Sequence, residues 1–212
     1  MSEVPATPAP SEGRAGIAPI EAFSDGVLAI ILTIMVLELK APERDGFAAL
    51  FPLWHVFFAY VLSYFYVAVY WVTHHRLFSH ARAVTNELLW ANIALLFTLS
   101  LLPFTTAYVG RLFSPFSSAI YLAALLAPSG AYYWLQRVIA RTGANDAGAA
   151  LYHQATMRKC LTASAIYALG IPVSYLSVPL AMSLAGLVAV LWMLPWGPLD
   201  RLFAGRAAKT DR

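Results

Sequence analysis

The first apolar segment of the chain carries an acidic residue close to its start. Residues 21–27 read Glu-Ala-Phe-Ser-Asp-Gly-Val and lead into a mainly apolar run that ends at Leu37. A segment long enough to cross a bilayer has no solvation reason to hold a carboxylate, and ionisable residues in such segments mark functional sites. Gly26, directly after Asp25, allows a neighbouring helix to approach closely. The first segment is therefore the leading candidate for function.

The chain contains six long apolar blocks. It is 60% hydrophobic and 12% charged, whereas soluble domains hold about 45–50% apolar and about 25% charged residues. Each block is long enough, or nearly so, for the roughly 20 residues of a membrane helix, and none alternates as a barrel strand does. We predict an all-α, integral membrane bundle of six transmembrane helices, at residues 20–39, 50–73, 87–108, 117–136, 159–176 and 179–196.

Prolines and connections add detail to this bundle. Pro103 and Pro128 lie well inside their blocks and are expected to kink the third and fourth helices, because proline removes a backbone hydrogen bond. The fifth block ends at residue 176 and the sixth begins at Pro179, so only two residues separate them, which predicts a tight helical hairpin.

The basic residues lie mostly on one side of the predicted bundle. The N-terminal tail, the 2–3 loop, the 4–5 loop and the C-terminal tail hold 11 of the 14 basic residues. Basic residues concentrate on the cytoplasmic side of membrane proteins, so we expect a multi-pass protein of the cell (inner) membrane with both termini in the cytoplasm. The expected divisions are a disordered tail at residues 1–18, one transmembrane domain at residues 19–198 and a short basic tail at residues 199–212.

The first segment has two different faces when it is drawn as a helix. At about 100° per residue, one stripe is apolar except for a single threonine, while Glu21 and Asp25 lie on the opposite face. A carboxylate facing lipid would cost a few kcal/mol, so the acidic face is expected to pack against protein. The stripe would then meet lipid or other subunits. Its members are Phe23, Val27, Ile30, Thr33, Ile34 and Leu37.

Three motifs resemble those of the transmembrane protein 175 family of bacterial and endolysosomal potassium-permeable channels. Residues 23–26 (Phe-Ser-Asp-Gly) are similar to its first-helix signature, and residues 70–78 (Tyr-Trp-Val-Thr-His-His-Arg-Leu-Phe) to the end of its second helix. Residues 89–92 (Leu-Trp-Ala-Asn) and 100–104 (Ser-Leu-Leu-Pro-Phe) resemble its third helix. The resemblance covers about residues 20–110.

The resemblance implies a homotetrameric channel in which the first helices line a central pore. By position, Ile30 would form the constriction, Ile34 and Leu37 would form flanking apolar rings, and Thr33 would contact the ion and favour potassium. Apolar rings of this kind gate by dewetting. The implied function is a weakly selective, potassium-preferring cation leak channel. It would need no cofactor beyond the permeant potassium ions, and its partners would be membrane lipid, monovalent cations and further copies of the chain.

The resemblance also implies a polar network that packs the pore helix. Buried polar networks act as a unit, because a half-satisfied one destabilises the fold. In this chain Pro19 stands where the family usually has an arginine, and Thr73 stands where it usually has an asparagine. Without that arginine, Asp25 is left unpaired, protonated, or paired with Arg76 or a histidine. The implied members of the network are Ser24, Asp25, Trp71, His74 and Asn92.

Several other classes of function are disfavoured by the sequence. His74 and His75 are adjacent, so they point about 100° apart on a helix, and His80 and His153 are assigned to loops; no metal site is predicted. The Gly-x-Ser-x-Gly turn of hydrolases and the His-Glu-x-x-His motif of metalloproteases are absent, so no enzyme is predicted. No basic face interleaved with aromatic residues indicates nucleic-acid binding.

Two alternatives to a channel remain open at this point. A proton-coupled transporter would use Asp25 and His74, because histidine titrates near neutral pH. However, the chain shows no inverted repeat with broken helices in corresponding halves. A non-transporting membrane scaffold would tolerate Thr33→Val without any change in ion flux.

Overall fold

The computed structural model describes residues 16–142 and 147–193, and the regular structure in these ranges is helical. The predicted tail at residues 199–212 lies outside the described residues, as does most of the tail predicted at residues 1–18. The last two residues of that N-terminal tail, Ile17 and Ala18, are already helical.

Six helical rods follow one another in the part of the chain that the structure describes, and each contains or overlaps one of the six apolar blocks. The second rod includes a short 3-10 turn at Phe51–Leu53 near its start. The third rod is interrupted at Leu101, one residue before a turn that contains Pro103. The rods are α1 (Ile17–Leu37), α2 (Phe47–Phe78), α3 (Asn86–Leu112), α4 (Pro115–Thr142), α5 (Ala147–Ser174) and α6 (Val178–Met193).

Several helices extend beyond their apolar blocks. The 4–5 loop predicted between residues 136 and 159 is largely wrong, because α4 continues to Thr142 and α5 begins at Ala147. The same error placed His153 in a loop, whereas it lies on α5. Hydropathy detects only long apolar blocks. The end of α4 carries Arg137 and Arg141, and the start of α5 consists of small residues followed by polar ones. The hairpin between α5 and α6 is as short as predicted.

The prolines act differently at different depths. Pro103 sits in the first turn of the second segment of α3, where its missing amide proton leaves no bond broken. The predicted disruption of this helix is therefore confirmed, as a break at Leu101. Pro128 lies inside α4, and the helix continues on both sides of it.

The connection between α2 and α3 is closed by a cap. Thr85 has an extended backbone, and its hydroxyl accepts a hydrogen bond from the Leu88 amide at 3.1 Å. Such N-caps typically contribute about 1 kcal/mol, because they satisfy one of the unpaired amides of the first turn. This cap fixes where α3 starts, and therefore the height at which Asn92 stands beside α1 and α2.

Within the described residues, three helices are long and apolar enough to cross a membrane. These are α1, α2 and α3, while Val178–Trp192 is apolar but shorter. Only 22% of the 18-residue apolar stretch of α1 is buried, compared with 39% of the corresponding stretch of α2 and 50% of that of α3. The chain is a multi-pass membrane protein whose first helix is the least covered of the three.

The helices pack into one bundle. α4 contacts α3 and α5, α5 contacts α6, and α1 packs against α2 and α3. Gly110 allows α3 to approach α2 closely, since a Cβ atom there would stand 3.3 Å from the Cα atom of Val56. The packing leaves α1 on the outside of the bundle, where one face lies against α2 and α3 and the other is open.

Candidate functional site

The buried face of α1 is narrow and mostly apolar. Ser24, Leu28, Ile31 and Met35 are buried against the rest of the bundle. Their spacing of four, three and four residues places them on one side of a helix. The acidic residues expected to pack against protein do contact α2, through Trp71 and His75, but they lie beside the buried face and not at its centre. Asp25 lies at the edge of the buried face and is only partly covered.

The predicted stripe of α1 is the exposed face of the helix. Phe23, Ile30, Ile34 and Leu37 are 60%, 58%, 43% and 76% exposed. Val27, which the helical projection of the sequence placed in the stripe, is instead partly buried and packs against the core. A face this apolar is not stable in water, so it meets lipid or protein.

Two small or polar positions interrupt this exposed face. Thr33 is exposed, and its hydroxyl donates a hydrogen bond to the carbonyl oxygen of Ile30 at 2.8 Å. The hydroxyl proton is thus occupied within the helix, while the oxygen lone pairs point away from it. Gly26 is also exposed, and a Cβ atom there would meet nothing within 4 Å. The close approach that Gly26 permits is therefore not used inside this subunit.

A buried chain of polar groups links three helices behind the stripe. Asn92 Nδ2 donates to Ser24 Oγ at 2.9 Å, and Ser24 Oγ donates to the Ile20 carbonyl at 2.8 Å. His74 Nε2 lies 2.8 Å from Asn92 Oδ1. Because an amide oxygen only accepts, His74 Nε2 carries the proton in this arrangement. Ser24, His74 and Asn92 are all at most 2% exposed.

Asp25 and Trp71 form a separate pair at the edge of the same interface. The indole Nε1 of Trp71 donates to Asp25 Oδ1 at 2.9 Å. The structure therefore brings together all five residues of the implied polar network, but in two sets rather than one. Asp25 and His74 do not share a hydrogen bond, since each is bonded to a different partner.

The sequence reasoning missed three neighbours of this network. His75 Nδ1 lies 3.9 Å from Glu21 Oε1, and its ring stacks on the Trp71 indole. Phe78 stacks on His74, with 4.3 Å between ring centres. Both stacks join residues four apart on α2, which is the spacing at which helix side chains meet. That spacing was the available signal for these contacts.

The two positions that depart from the family pattern have local explanations. Pro19 lies in the first turn of α1, where proline is well tolerated. Thr73 donates to the carbonyl oxygens of Val69 and Tyr70 on its own helix. Neither residue supplies a charge to Asp25.

Metal ligands are not gathered anywhere in the part of the chain that the structure describes: no three His, Cys, Asp or Glu side chains there could hold one ion. The His80 and His153 rings do approach each other, with 5.6 Å between centres. This contact joins the end of α2 to α5.

An ion pair stands at the far end of α1 from the network. Arg111 Nη2 lies 3.0 Å from Glu38 Oε2, and both side chains remain partly exposed. Glu38 is the residue that follows the last residue of α1, and Arg111 is in the last turn of α3. An open groove beside the pair is lined by Ile34 of the stripe and by Phe104 and Tyr108 of α3.

Comparison with known proteins gives a consistent result. The sequence model of the family described as endosomal/lysosomal potassium channel TMEM175 matches residues 19–103. A potassium channel of Chryseobacterium sp. (strain P1-3) is 42% identical over 178 residues, which is 83% of this chain and 92% of that protein. The endosomal/lysosomal proton channel TMEM175 of Homo sapiens is 37% identical over 105 residues, which is 44% of this chain and 19% of the human protein.

A solved structure agrees with the fold along most of the chain. The crystal structure of a lysosomal potassium-selective channel TMEM175 homolog from Chamaesiphon minutus superimposes with a TM-score of 0.75 at 26% sequence identity. The match covers 84% of this chain and 96% of that one.

Proposed function

Because the chain belongs to the TMEM175 family, whose members are ion channels and not enzymes, we propose that it is a potassium-preferring, weakly selective cation leak channel. In this proposal six helices cross the cell (inner) membrane, both termini lie in the cytoplasm, and four copies surround a central pore lined by α1. The activity needs no cofactor, and its ligands are the permeant potassium ions. The observation that carries the proposal is the exposed stripe of α1.

The exposure of α1 supports assembly around a pore. One chain has a single α1, and its stripe lies outside the subunit, so several copies are needed to enclose a path. Gly26 stands on this face with open space around it, which is typical of helices that approach one another closely in membranes. A stripe that served only to contact lipid would gain nothing from a hydroxyl at Thr33.

The apolar residues of the stripe account for closure of the path. Ile30, Ile34 and Leu37 lie within about two turns of one another, so four copies of each would form three successive apolar rings. Narrow apolar rings expel water, and ions do not enter a dewetted constriction. Ile30 is the proposed constriction and the other two are flanking rings. Opening then requires the rings to dilate.

The hydroxyl of Thr33 accounts for a preference among cations. Its proton is held by the Ile30 carbonyl, so the oxygen offers lone pairs to the path in a fixed orientation. Four such neutral oxygens replace part of the hydration shell of an ion, which costs less for potassium than for the more strongly hydrated sodium. Neutral ligands without a carbonyl-lined filter discriminate weakly, so the preference is modest.

The polar network positions the pore helix. Ser24, His74 and Asn92 tie α1 to α2 and α3, and Trp71 holds Asp25 at the edge of the interface. These bonds fix the rotation of α1 about its axis, and that rotation decides which residues face the path. A proton-coupled transporter is the weaker alternative, since its two proposed titrating groups, Asp25 and His74, are bonded to different partners.

The proposal is tested by ion flux through purified protein in proteoliposomes. The wild type is compared with Ile30→Asn and Thr33→Val under potassium, sodium and proton gradients. We expect potassium-favouring flux that rises several-fold in Ile30→Asn, because asparagine wets the constriction. Thr33→Val, which keeps the size of threonine, should lower the potassium-to-sodium ratio.

Three results would contradict parts of the proposal. Absence of flux in folded, oligomeric wild type favours a scaffold. Potassium flux that is strictly coupled to protons favours a transporter. An unchanged reversal potential in Thr33→Val removes Thr33 from ion contact. Val36→Asn is a matched control for Ile30→Asn, because Val36 is an exposed apolar residue of α1 outside the stripe and its substitution should leave flux unchanged.

A further inference from the structure

We infer that the ion pair of Glu38 and Arg111 sets the electrostatic potential at the outer mouth of the pore, so that Glu38 draws cations toward the stripe and Arg111 limits that attraction. The inference rests on the proposed function, because it takes the C-terminal end of α1 to lie at the outer mouth of the proposed pore. It concerns the rate of cation entry, and the groups involved lie outside the constriction, the ion-contact residue and the polar network.

The position of Glu38 relates it directly to the stripe. It follows Leu37, the last residue of α1, and stands one turn beyond Ile34. The groove that holds Glu38 and Arg111 is also lined by Ile34. In the proposed tetramer, a cation that enters or leaves the pore at the Leu37 end of α1 therefore passes close to this carboxylate.

Arg111 holds the carboxylate at this place without removing it from solvent. The two groups are 3.0 Å apart, and the side chains of Arg111 and Glu38 are 57% and 42% exposed. An exposed pair of this kind adds about 0–1 kcal/mol to stability, so it contributes little to holding the fold together. Its exposed charges act on ions that approach through water.

Fold stability does not explain an acid at this position. The carbonyl groups at the end of a helix carry a partial negative charge, which favours cations there and disfavours anions. Glu38 is the C-cap of α1 and therefore adds its charge to an end that is already negative. Arg111, in the last turn of α3, is placed favourably by the same rule. The pair thus combines one unfavourable and one favourable location.

Four copies around an axis would make this charge effective. In the wild type each carboxylate is balanced by one guanidinium group, whereas Glu38→Gln would leave four positive groups at the mouth and Arg111→Gln four negative ones. Clefts lined by charge of one sign raise the local concentration of the opposite ion and so increase its entry rate. The effect depends on salt, because the screening length is about 30 Å at 0.01 M and about 3 Å at 1 M ionic strength. Salt dependence therefore separates an electrostatic role of Glu38 from a structural one.

The test is single-channel conductance in planar bilayers, in symmetrical 10 mM and 1 M KCl, for wild type, Glu38→Gln and Arg111→Gln. We expect Glu38→Gln to lower the potassium conductance about threefold at 10 mM and to match wild type at 1 M. Arg111→Gln should raise the conductance at 10 mM, since it removes the neutralising charge. Glu43→Gln is the matched control: it makes the same charge change in the same loop at an exposed site away from the groove, and should change conductance by less than half as much.

Four outcomes overturn the inference. They are an unchanged conductance of Glu38→Gln at 10 mM, an equal loss at both salt concentrations, a loss of the same sign in Arg111→Gln, or an equal effect of Glu43→Gln. A wild type that conducts no potassium overturns both this inference and the proposed function. A conducting wild type with any of the four outcomes overturns the inference alone.

Discussion

Replacement of Asn92 by leucine is the sharpest test of the buried polar chain. Asn92 is 2% exposed and joins α3 to α1 and α2 through two side-chain hydrogen bonds. Leucine has the same branched arrangement of side-chain heavy atoms and is somewhat larger, so Asn92→Leu removes the bonds without opening a cavity. Ser24 remains satisfied after the change, because its hydroxyl already donates to the Ile20 carbonyl. The group left without a partner is the Nε2 proton of His74.

The cost follows from these contacts. Hydrogen bonds between membrane helices average about 0.6 kcal/mol each, so two of them account for about 1.2 kcal/mol. A buried donor that loses its partner costs a further 1–3 kcal/mol or so. We therefore expect Asn92→Leu to lower the free energy of unfolding by about 3 kcal/mol. Most of this loss comes from His74 rather than from the two bonds themselves.

The assay is reversible unfolding in mixed detergent micelles at fixed protein concentration, followed by tryptophan fluorescence or circular dichroism. Thr98→Val is the matched control on the same helix, since the Thr98 hydroxyl bonds only to the carbonyl oxygens of Ala94 and Leu95. In a His74→Leu background the Asn92 oxygen has already lost its partner. There Asn92→Leu loses only the bond to Ser24, about 0.6 kcal/mol, and also removes a buried unpaired acceptor, so its cost should be no more than about 0.6 kcal/mol. A cost below about 1 kcal/mol in the wild-type background, or an equal cost in both backgrounds, would refute this reasoning.

Two further predictions concern the exposed side of α1. Gly26→Leu is expected to leave the unfolding free energy of the subunit unchanged, because the position is open, but to reduce the fraction of the proposed tetramer on native gels. Unaltered assembly would mean that this face does not meet other copies. Trp71→Phe removes the donor to Asp25 and should make tetramers dissociate more readily at an unchanged potassium-to-sodium ratio, with the exposed Trp90→Phe as control. An intact tetramer with a shifted reversal potential would place Asp25 on the ion path.

Much of the helical architecture was accessible from hydropathy. Each of the six rods contains or overlaps a predicted apolar block, and the break in α3 lies at Leu101, two residues before Pro103. The errors lie at the ends of helices. The end of α4, up to Thr142, and the start of α5, from Ala147, are helical although they lie outside the long apolar blocks. Hydropathy reports solvent preference, whereas helix ends are decided by backbone hydrogen bonding and caps.

The stripe of α1 was also accessible, because its spacing is a local property. That Phe23, Ile30, Ile34 and Leu37 share one face follows from one helix and its period, and the structure shows that this face is exposed. The exception is Val27, which the helical projection assigned to the stripe although the core partly covers it. A helical projection gives the angular position of each side chain, but it does not give how much of the helix surface the neighbouring helices cover.

The sequence by itself determined which residues share a face of α1, because a helical period needs no knowledge of partners. It also determined that acid and amide groups lie within apolar segments, where they must find partners. Only the tertiary structure decided which partners they find. Trp71 and Asp25 are 46 residues apart, and Ser24 and Asn92 are 68 apart. Such pairings depend on the height and rotation at which α1, α2 and α3 pack. Those are set by contacts along whole helices, such as the close approach at Gly110, and no local pattern records them.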